Sequence, residues 1–304
     1  MSTFMEILVN GLSRGAVYSL IALGYTMVYG ILGMINFAHG DVFMIGMFAS
    51  VFALGTLGSM GLTALGITIP IAIVIAMLVA AGYGWANERI AYRKLRGSHL
   101  LTTLTSAIGM SIVLENFIML SVTKGKIDFP RAAVAPLLAV SWNLGGARIT
   151  LLQVGLLAVT LVMMLGLFWL IHKTRMGIAL RAVSQDRTMA SLVGIQVDRT
   201  ISFTFMLGSA LAAVAGTMVG MYQGVLRFDA GYAIGLKAFT AAILGGIGNV
   251  PGAVVGGLLI GIVEDSTSTL IKSEWKNTVA FGILVLVLLL RPRGILGERV
   301  AEKV

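Results

Sequence analysis

Six ionisable side chains lie inside apolar segments of this sequence, and they have the most potential for chemistry. They are Arg14, Asp41, Glu115, Lys237, Glu264 and Asp265. If these segments cross a membrane, a charge there is costly and usually faces the interior of a helix bundle or an aqueous path. Each residue therefore indicates a pathway, a proton relay or a buried ion pair.

Glu115 is the carboxylate best placed for a proton-coupled carrier, because it lies inside the apolar run 100–122. The alternative is that it forms an ion pair or caps a neighbouring helix. Glu264 and Asp265 are adjacent on one helix and point about 100° apart, so we expect at most one of them to face a given site. His39, in the motif NFAHG, is interpreted as a hydrogen-bonded residue at a helix end rather than a ligand.

Residue patterns for catalysis and metal binding are missing from the sequence. It contains no cysteine, and its three histidines are far apart, without the HExxH spacing of a zinc site. It has neither the GxxxxGK[ST] motif of a nucleotide site nor a nucleophile elbow. We therefore expect no ATPase site, no metal and no cofactor on this chain, and an enzyme is the weakest interpretation.

The elements that carry these residues are predicted from composition. Of 304 residues, 58% are hydrophobic and only 12% are charged, and several apolar runs reach the ~20 residues that cross a bilayer. Backbone groups in lipid must be hydrogen-bonded internally, and the runs lack the alternation of a β-barrel. The 38 glycines suit close packing of membrane helices. The sequence predicts one all-α polytopic membrane domain over residues 1–304.

Successive apolar runs predict about eight or nine transmembrane helices. The segments are 6–35, 42–58, 62–84, 100–122, 149–171, 200–222, 236–271 and 277–290. The first is long enough for one steep or broken helix, or for a short segment before a full crossing. The second-last, 236–271, stops at Gly245, Gly246, Gly248, Asn249 and Pro251 and then resumes, which predicts a broken or re-entrant segment. Residues 124–148 form the longest loop without strong apolar character.

A polar interval at 173–199, called the basic loop below, concentrates positive charge. Its basic residues are Lys173, Arg175, Arg181, Arg187 and Arg199. Residues 175–194 predict one short helical element that ends at Gly194. The positive-inside rule places this loop in the cytoplasm together with 85–97 and 291–304, which jointly hold 13 of the 22 basic residues. The loop either docks a partner or only determines topology.

The formal net charge of +9 is spread over several short loops rather than one patch. Membrane orientation explains this distribution better than nucleic-acid binding does. We therefore expect the lipid bilayer, and no nucleic acid, as a partner.

Several motifs in order resemble one family. They are GLSRGAVYSLIALGYTMVYGILGMINFAHGD (11–41), ERIAYRKLRG (88–97), TRMGIALRAVSQDRTMASLVGIQVDR (174–199), GLKAFTAAILGGIGNVPGAVVGGLLIGIVE (235–264) and LLLRPRGILG (288–297). Together they cover nearly the whole chain. The chain resembles the permeases of branched-chain amino-acid ABC transporters of the LivH type.

The resemblance implies a permease of the bacterial inner membrane with four kinds of partner or support. These are a second, related permease subunit, two cytoplasmic ATP-binding subunits that use the ATP, a periplasmic substrate-binding protein and the bilayer. In that family the cytoplasmic loop supplies a coupling helix with an EAA-type motif. Here the motif falls on 188–194, where Ala190 and Gly194 match and Thr188 replaces the usual glutamate. ATPase coupling is thereby assigned to Arg181, Arg187, Thr188, Ala190 and Gly194.

The translocation pathway is expected to use helix ends that meet the substrate carboxylate. The candidates are Asn36, His39, Glu115, Gly245, Gly246, Gly248 and Asn249. The implied mechanism is alternating access driven by the partner ATPases. The alternative is an ion-coupled secondary amino-acid carrier or channel that uses Glu115 or Asp41.

Overall fold

The computed structural model describes residues 2–34, 36–62, 64–144, 146–291 and 293–297. Of the predicted cytoplasmic tail 291–304, residues 292 and 298–304 lie outside the described residues. The described chain is mostly helical, which confirms the predicted fold class. The helices are α1 (Ser2–Leu32), α2 (His39–Ser59), α3 (Leu65–Asn87), α4 (Leu100–Ser121), α5 (Ala135–Ala139), α6 (Leu151–Lys173), α7 (Arg175–Gln185), α8 (Arg187–Leu192), α9 (Val197–Gln223), α10 (Ala230–Gly245), α11 (Val250–Leu270) and α12 (Lys276–Leu290).

Eight helical segments in the described residues are long and apolar enough to cross a membrane. They are α1, α2, α3, α4, α6, α9, α11, and α12 taken together with the preceding turn Ser273–Trp275, which makes 18 residues. Helix α10 is apolar but has only 16 residues, or about 24 Å at 1.5 Å per residue. This count agrees with the predicted eight or nine crossings. The first segment is one continuous helix, α1, so its apolar run is not broken.

The basic loop defines one face of the molecule, called the inner face. Arg187 of this loop contacts the C-terminal end of α1, and Arg93 and Arg96 after α3 pair with Asp198. The predicted grouping of 85–97 with 173–199 is therefore confirmed. Helix α1 starts at the opposite, outer face. Residues 293–297 pack on the end of α10 near the inner face. If α10 is counted with the eight longer helices, the described residues contain nine helices that run between the two faces.

Helices α1 and α9 form the centre of the bundle, and most of their residues are buried. Helix α11 runs antiparallel along α1, and glycines at the contact bring the two backbones together. Helices α3, α4, α6 and α12 lie at the periphery and expose many large apolar side chains. Such faces suit contact with lipid or with another membrane subunit.

The glycine-rich segment 236–271 is interrupted as predicted. Helix α10 ends at Gly245, and α11 begins at Val250, where Asn249 accepts a hydrogen bond from the Gly252 N–H at 2.8 Å. The two helices are antiparallel neighbours. The interruption is therefore a tight turn at the inner face, beside Gly30 of α1.

The outer loop 124–148 contains more regular structure than its sequence predicts. It holds β1 (Lys126–Asp128), helix α5, and a hairpin of β2 (Ser141–Leu144) and β3 (Ala147–Thr150). Strand β1 pairs in antiparallel fashion with β4 (Val225–Arg227), which follows α9. This pairing fixes the outer loop to the end of the central helix.

Candidate functional site

The basic loop folds into two helices, so the prediction of a single helical element is wrong. Helix α7 ends at Gln185, and Asp186 then caps α8 by accepting hydrogen bonds from the N–H groups of Thr188 (2.8 Å) and Met189 (3.0 Å). Aspartate favours such an N-cap position over a helix interior. The predicted end is confirmed, because Gly194 follows α8 with φ +87°.

The two arginines assigned to coupling point toward the membrane domain. Arg187 Nη2 donates to the carbonyl oxygens of Ile31 (3.0 Å) and Leu32 (2.9 Å) at the end of α1. Arg181 Nη1 donates to the carbonyl oxygen of Ile171 near the end of α6. A cation at a helix C-terminus satisfies free carbonyls and interacts favourably with the helix dipole. These side chains attach the basic loop to two membrane helices.

Partial burial, and secondly the nearby Arg96 charge, lower the pKa of Arg187 below its usual value. An arginine still remains protonated at neutral pH. The contact with α1 is therefore made by a charged group that is partly removed from water, which strengthens it.

Helix α8 turns an apolar surface outward. Met189, Leu192 and Val193 are 62%, 74% and 76% exposed, and they form what we call the apolar patch. Ala190 on the opposite side is buried, so it packs α8 against the permease. Thr188 and Gly194 are exposed beside the patch. Exposed large apolar side chains grouped on a helix outside the membrane-spanning segments indicate a protein-binding surface.

A second set of charged residues connects helices at the inner face. In the sequence, the basic residues of 85–97 predict only topology. Arg96 donates to Asp198 at 2.5 Å and also pairs with Glu88, which is fully buried. Ser202 of α9 donates to the other Glu88 oxygen at 2.7 Å. Glu88 begins a π-helical turn, Glu88–Tyr92, that continues α3. The network ties α3 to α9 next to the basic loop.

Near the outer face, four of the six intramembrane charges meet with a tyrosine in an outer charge cluster. Its members are Arg14, Tyr18, Lys237, Glu264 and Asp265. One Glu264 oxygen accepts hydrogen bonds from Lys237 Nζ (2.8 Å) and Arg14 (3.3 Å), and the other accepts from the Tyr18 hydroxyl (2.5 Å). Buried charges are stable only when paired and hydrogen-bonded in this way.

The two adjacent carboxylates behave partly as predicted. Glu264 lines the cavity described next and Asp265 does not. Arg14 nevertheless contacts both, since its second guanidinium nitrogen lies 3.5 Å from Asp265. The forked guanidinium spans two side chains that point in different directions.

An outer cavity of about 550 Å³ opens beside this cluster. Its polar lining residues include Arg14, Tyr18, Tyr222, Arg227, Asp229, Lys237, Glu264 and Lys276, and its apolar ones include Val17, Val219 and Ile234. Arg227 donates two hydrogen bonds to Asp229, at 2.8 and 2.5 Å. These bonds lower the pKa of the Asp229 carboxyl, so the pair stays ionised at neutral pH.

The predicted pathway residues lie elsewhere. Asn36 is buried and accepts a hydrogen bond from Tyr92 at 2.8 Å. His39 lies at a helix end as predicted, since it is the first residue of α2. It is buried, and its ring packs edge-on against Tyr25 at 4.7 Å between centroids. Its Nε2 has no hydrogen-bond partner among the described residues.

Gly245, Gly246, Gly248 and Asn249 form the inner turn, which the segment 293–297 covers in part. Asn249 donates to the Leu296 carbonyl at 2.9 Å, and the Leu296 N–H donates to Gly245 at 3.0 Å. Both polar groups of the Asn249 side chain are thus engaged in structural bonds. None of these residues lines the outer cavity.

Glu115 is half-buried on α4 and has no hydrogen bond or ion pair with any described residue. It lies near enough to Asp41 for the two carboxylates to interact. Asp41 itself accepts a hydrogen bond from Ser111. The described residues contain no group of three or more metal-ligating side chains.

Comparisons with known proteins agree over nearly the full length. A family model described as "Branched-chain amino acid transport system / permease component" matches residues 7–288. The high-affinity branched-chain amino acid transport system permease protein LivH of Salmonella typhimurium is 46% identical, covering 99% of this chain and 98% of that protein. The corresponding protein BraD of Pseudomonas aeruginosa is 45% identical with the same coverage. A probable LivH of Methanocaldococcus jannaschii is 28% identical over 91% of this chain and 88% of that protein.

Proposed function

Since the chain belongs to the family of permease components of branched-chain amino acid transport systems, it is a multi-pass membrane transport subunit, and we propose that it imports branched-chain amino acids. It supplies the translocation pathway of an ATP-binding-cassette importer in the bacterial inner membrane. The similarity to LivH over 99% of the chain carries this proposal. The ion-coupled carrier predicted as an alternative is not favoured by this membership.

The partners follow from the same proposal. A second, related permease completes the pathway, a periplasmic binding protein delivers the amino acid, and two cytoplasmic subunits hydrolyse ATP. This chain then needs no ATPase site and no cofactor of its own. The apolar patch on α8 supports docking of an ATPase subunit, because it groups three large apolar side chains that are exposed to solvent.

Movement of α8 is transmitted through Arg187 to α1. That helix is continuous over 31 residues and spans about 46 Å. Its inner end receives the Arg187 hydrogen bonds, and its middle third carries Arg14 and Tyr18 of the outer charge cluster. One rigid helix thus links the ATPase side to the outer cavity.

Reconstitution tests the function directly. Vesicles containing this chain, its partner permease and the two ATPases should accumulate leucine when ATP and loaded binding protein are supplied. The purified chain alone, with a proton or sodium gradient, should accumulate none. Uptake by the chain alone would instead establish the carrier.

Leu192→Asp is expected to weaken binding of the ATPase subunits by about 30-fold or more, the effect of losing an interface hot spot worth 2 kcal/mol. The cause is a charge placed in the centre of the apolar patch. Co-purification of the ATPases with the tagged permease measures it. Gln196→Asp is the matched control, since it adds the same charge at an exposed position beyond the patch, before α9. Full ATPase retention in Leu192→Asp would exclude the patch as the docking surface.

Arg187→Glu should uncouple the two activities: ATP hydrolysis continues while leucine uptake falls. The change removes two hydrogen bonds and places a negative charge against the carbonyls that end α1, at a cost of about 1–3 kcal/mol. Arg175→Glu reverses a charge on the exposed side of the same loop and should preserve coupling. Uptake per ATP equal in the two variants would refute transmission through Arg187.

A further inference from the structure

Among the described residues that line the outer cavity, one cation has no acidic partner. Arg14 and Lys237 pair with Glu264 and Asp265, and the Arg227 pair with Asp229 is complete in itself. Among the described residues Lys276 has no ion pair or hydrogen bond through its side chain. It is half-buried and lines the cavity.

Lys276 of α12 and Lys237 of α10 both line this cavity. Two ammonium groups beside one cavity repel each other, and the repulsion is stronger where water is partly excluded. An anion between them would relieve it and would gain charge-assisted hydrogen bonds from both. A carboxylate has the size and charge for this position.

The remainder of the cavity suits an aliphatic group. An apolar part of the lining, called the apolar wall, consists of Val17, Val219 and Ile234. The cavity volume of about 550 Å³ falls within the range of small-molecule sites.

We propose that the outer cavity binds a small aliphatic amino acid, with Lys276 and Lys237 holding its α-carboxylate and the apolar wall contacting its side chain. The identity of this ligand rests on the proposed function. The cavity is then the first site on the permease that receives the amino acid, before α1 moves. The positive charge of Lys276 positions the carboxylate, and the sign of this charge matters more than the length of the side chain that carries it.

The absence of cysteine from the chain allows this charge to be exchanged chemically. Lys276→Cys in the assembled transporter is treated with methanethiosulfonates that attach an aminoethyl, a methyl or a sulfonatoethyl group. Leucine uptake should fall about tenfold with the neutral methyl group, as for the loss of one charged hydrogen bond. The aminoethyl group should restore it to within about twofold, and the sulfonatoethyl group should abolish it.

Ligand binding is measured in the same variant by mass spectrometry of the labelled chain, without binding protein or ATP. Leucine should slow modification of the thiol that Lys276→Cys introduces, whereas leucinol, which lacks the carboxylate, should not. Lys272→Cys is the control, because Lys272 is exposed on the same side of the molecule and does not line the cavity. The thiol that Lys272→Cys introduces should be labelled at equal rates with and without leucine. Leucine uptake by this variant should be independent of the group attached.

The outcomes separate the two proposals. If the unmodified transporter imports leucine but all three groups attached to the Lys276→Cys variant give equal uptake, the cavity site is refuted and the proposed function stands. Equal protection by leucinol and leucine would refute the carboxylate contact. If the unmodified transporter imports no leucine, the proposed function fails, and the protection assay still decides whether the cavity binds the amino acid.

Discussion

Replacing Glu264 by glutamine is expected to lower the free energy of unfolding by about 3–5 kcal/mol, the cost of removing one partner from a buried ion pair. Glu264 is 1% exposed and accepts hydrogen bonds from Arg14, Tyr18 and Lys237. The neutral amide leaves the Lys237 ammonium buried without its only acidic partner among the described residues. In the detergent-solubilised chain, the Tm should fall by about 6 °C or more.

Two further variants make this result specific. Glu274→Gln makes the same chemical change on an exposed turn before α12 and should leave the Tm unchanged. Lys237→Met combined with Glu264→Gln removes both members of the pair, and Arg14 keeps Asp265 as its partner. This double variant should be more stable than Glu264→Gln alone. If Glu264→Gln and Glu274→Gln unfold at the same temperature, the outer charge cluster contributes nothing to stability.

The charged residues of the outer charge cluster could be identified from the sequence, but the contacts between them could not. Arg14, Lys237, Glu264 and Asp265 all stand out as charges in apolar segments. Arg14 and Glu264 are 250 positions apart, and no periodicity within α1 or α11 indicates that these two helices pack antiparallel. The contact also depends on the reach of Arg14, which side-chain directions on one helix cannot predict.

The helices were predictable to within a few residues where a long apolar run ends at a charge. The predicted segment 277–290 is observed as Lys276–Leu290, and 149–171 as Leu151–Lys173. The length of a run such as 149–171 is dictated by bilayer thickness, which leaves little freedom. The strands of the outer loop are different, because β1 and β4 have three residues each and pair across about a hundred positions. Strands that short carry no detectable alternation.

The sequence predicted the position of the basic loop correctly but identified its exposed surface only in part. Its charge concentration predicts a functional surface on the inner face, and attention to charge selects Arg181 and Arg187. In the structure both side chains are directed at helix ends of the membrane domain, whereas the exposed surface is the apolar patch. The short helix α8 hides this signal, since six residues are too few for a periodic pattern to be recognised.

Helix α1 depends on glycine for its closest contact. Gly11 and Gly15 of α1 face Leu258, Gly261 and Ile262 of α11, and a Cβ atom added at Gly261 would overlap backbone atoms of Gly11 and Gly15. Backbone atoms cannot rotate away as a side chain can. Small residues at such a crossing permit the close approach that drives association of membrane helices, because the hydrophobic effect is absent between them.

Gly261→Val is therefore expected to separate α1 from α11 and to cost about 3 kcal/mol or more, the upper range for overpacking. The purified variant should lose its monodisperse peak in size-exclusion chromatography or unfold at a much lower temperature. Gly166→Val is the matched control, because Gly166 lies in the membrane helix α6 with no atom near its added Cβ, and valine has the better helix propensity. Helix α1 carries both the Arg187 contact and two of the five members of the outer charge cluster. A Gly261→Val permease as stable as Gly166→Val would mean that α1 is not held by α11, and the proposed transmission along α1 would lose its rigid support.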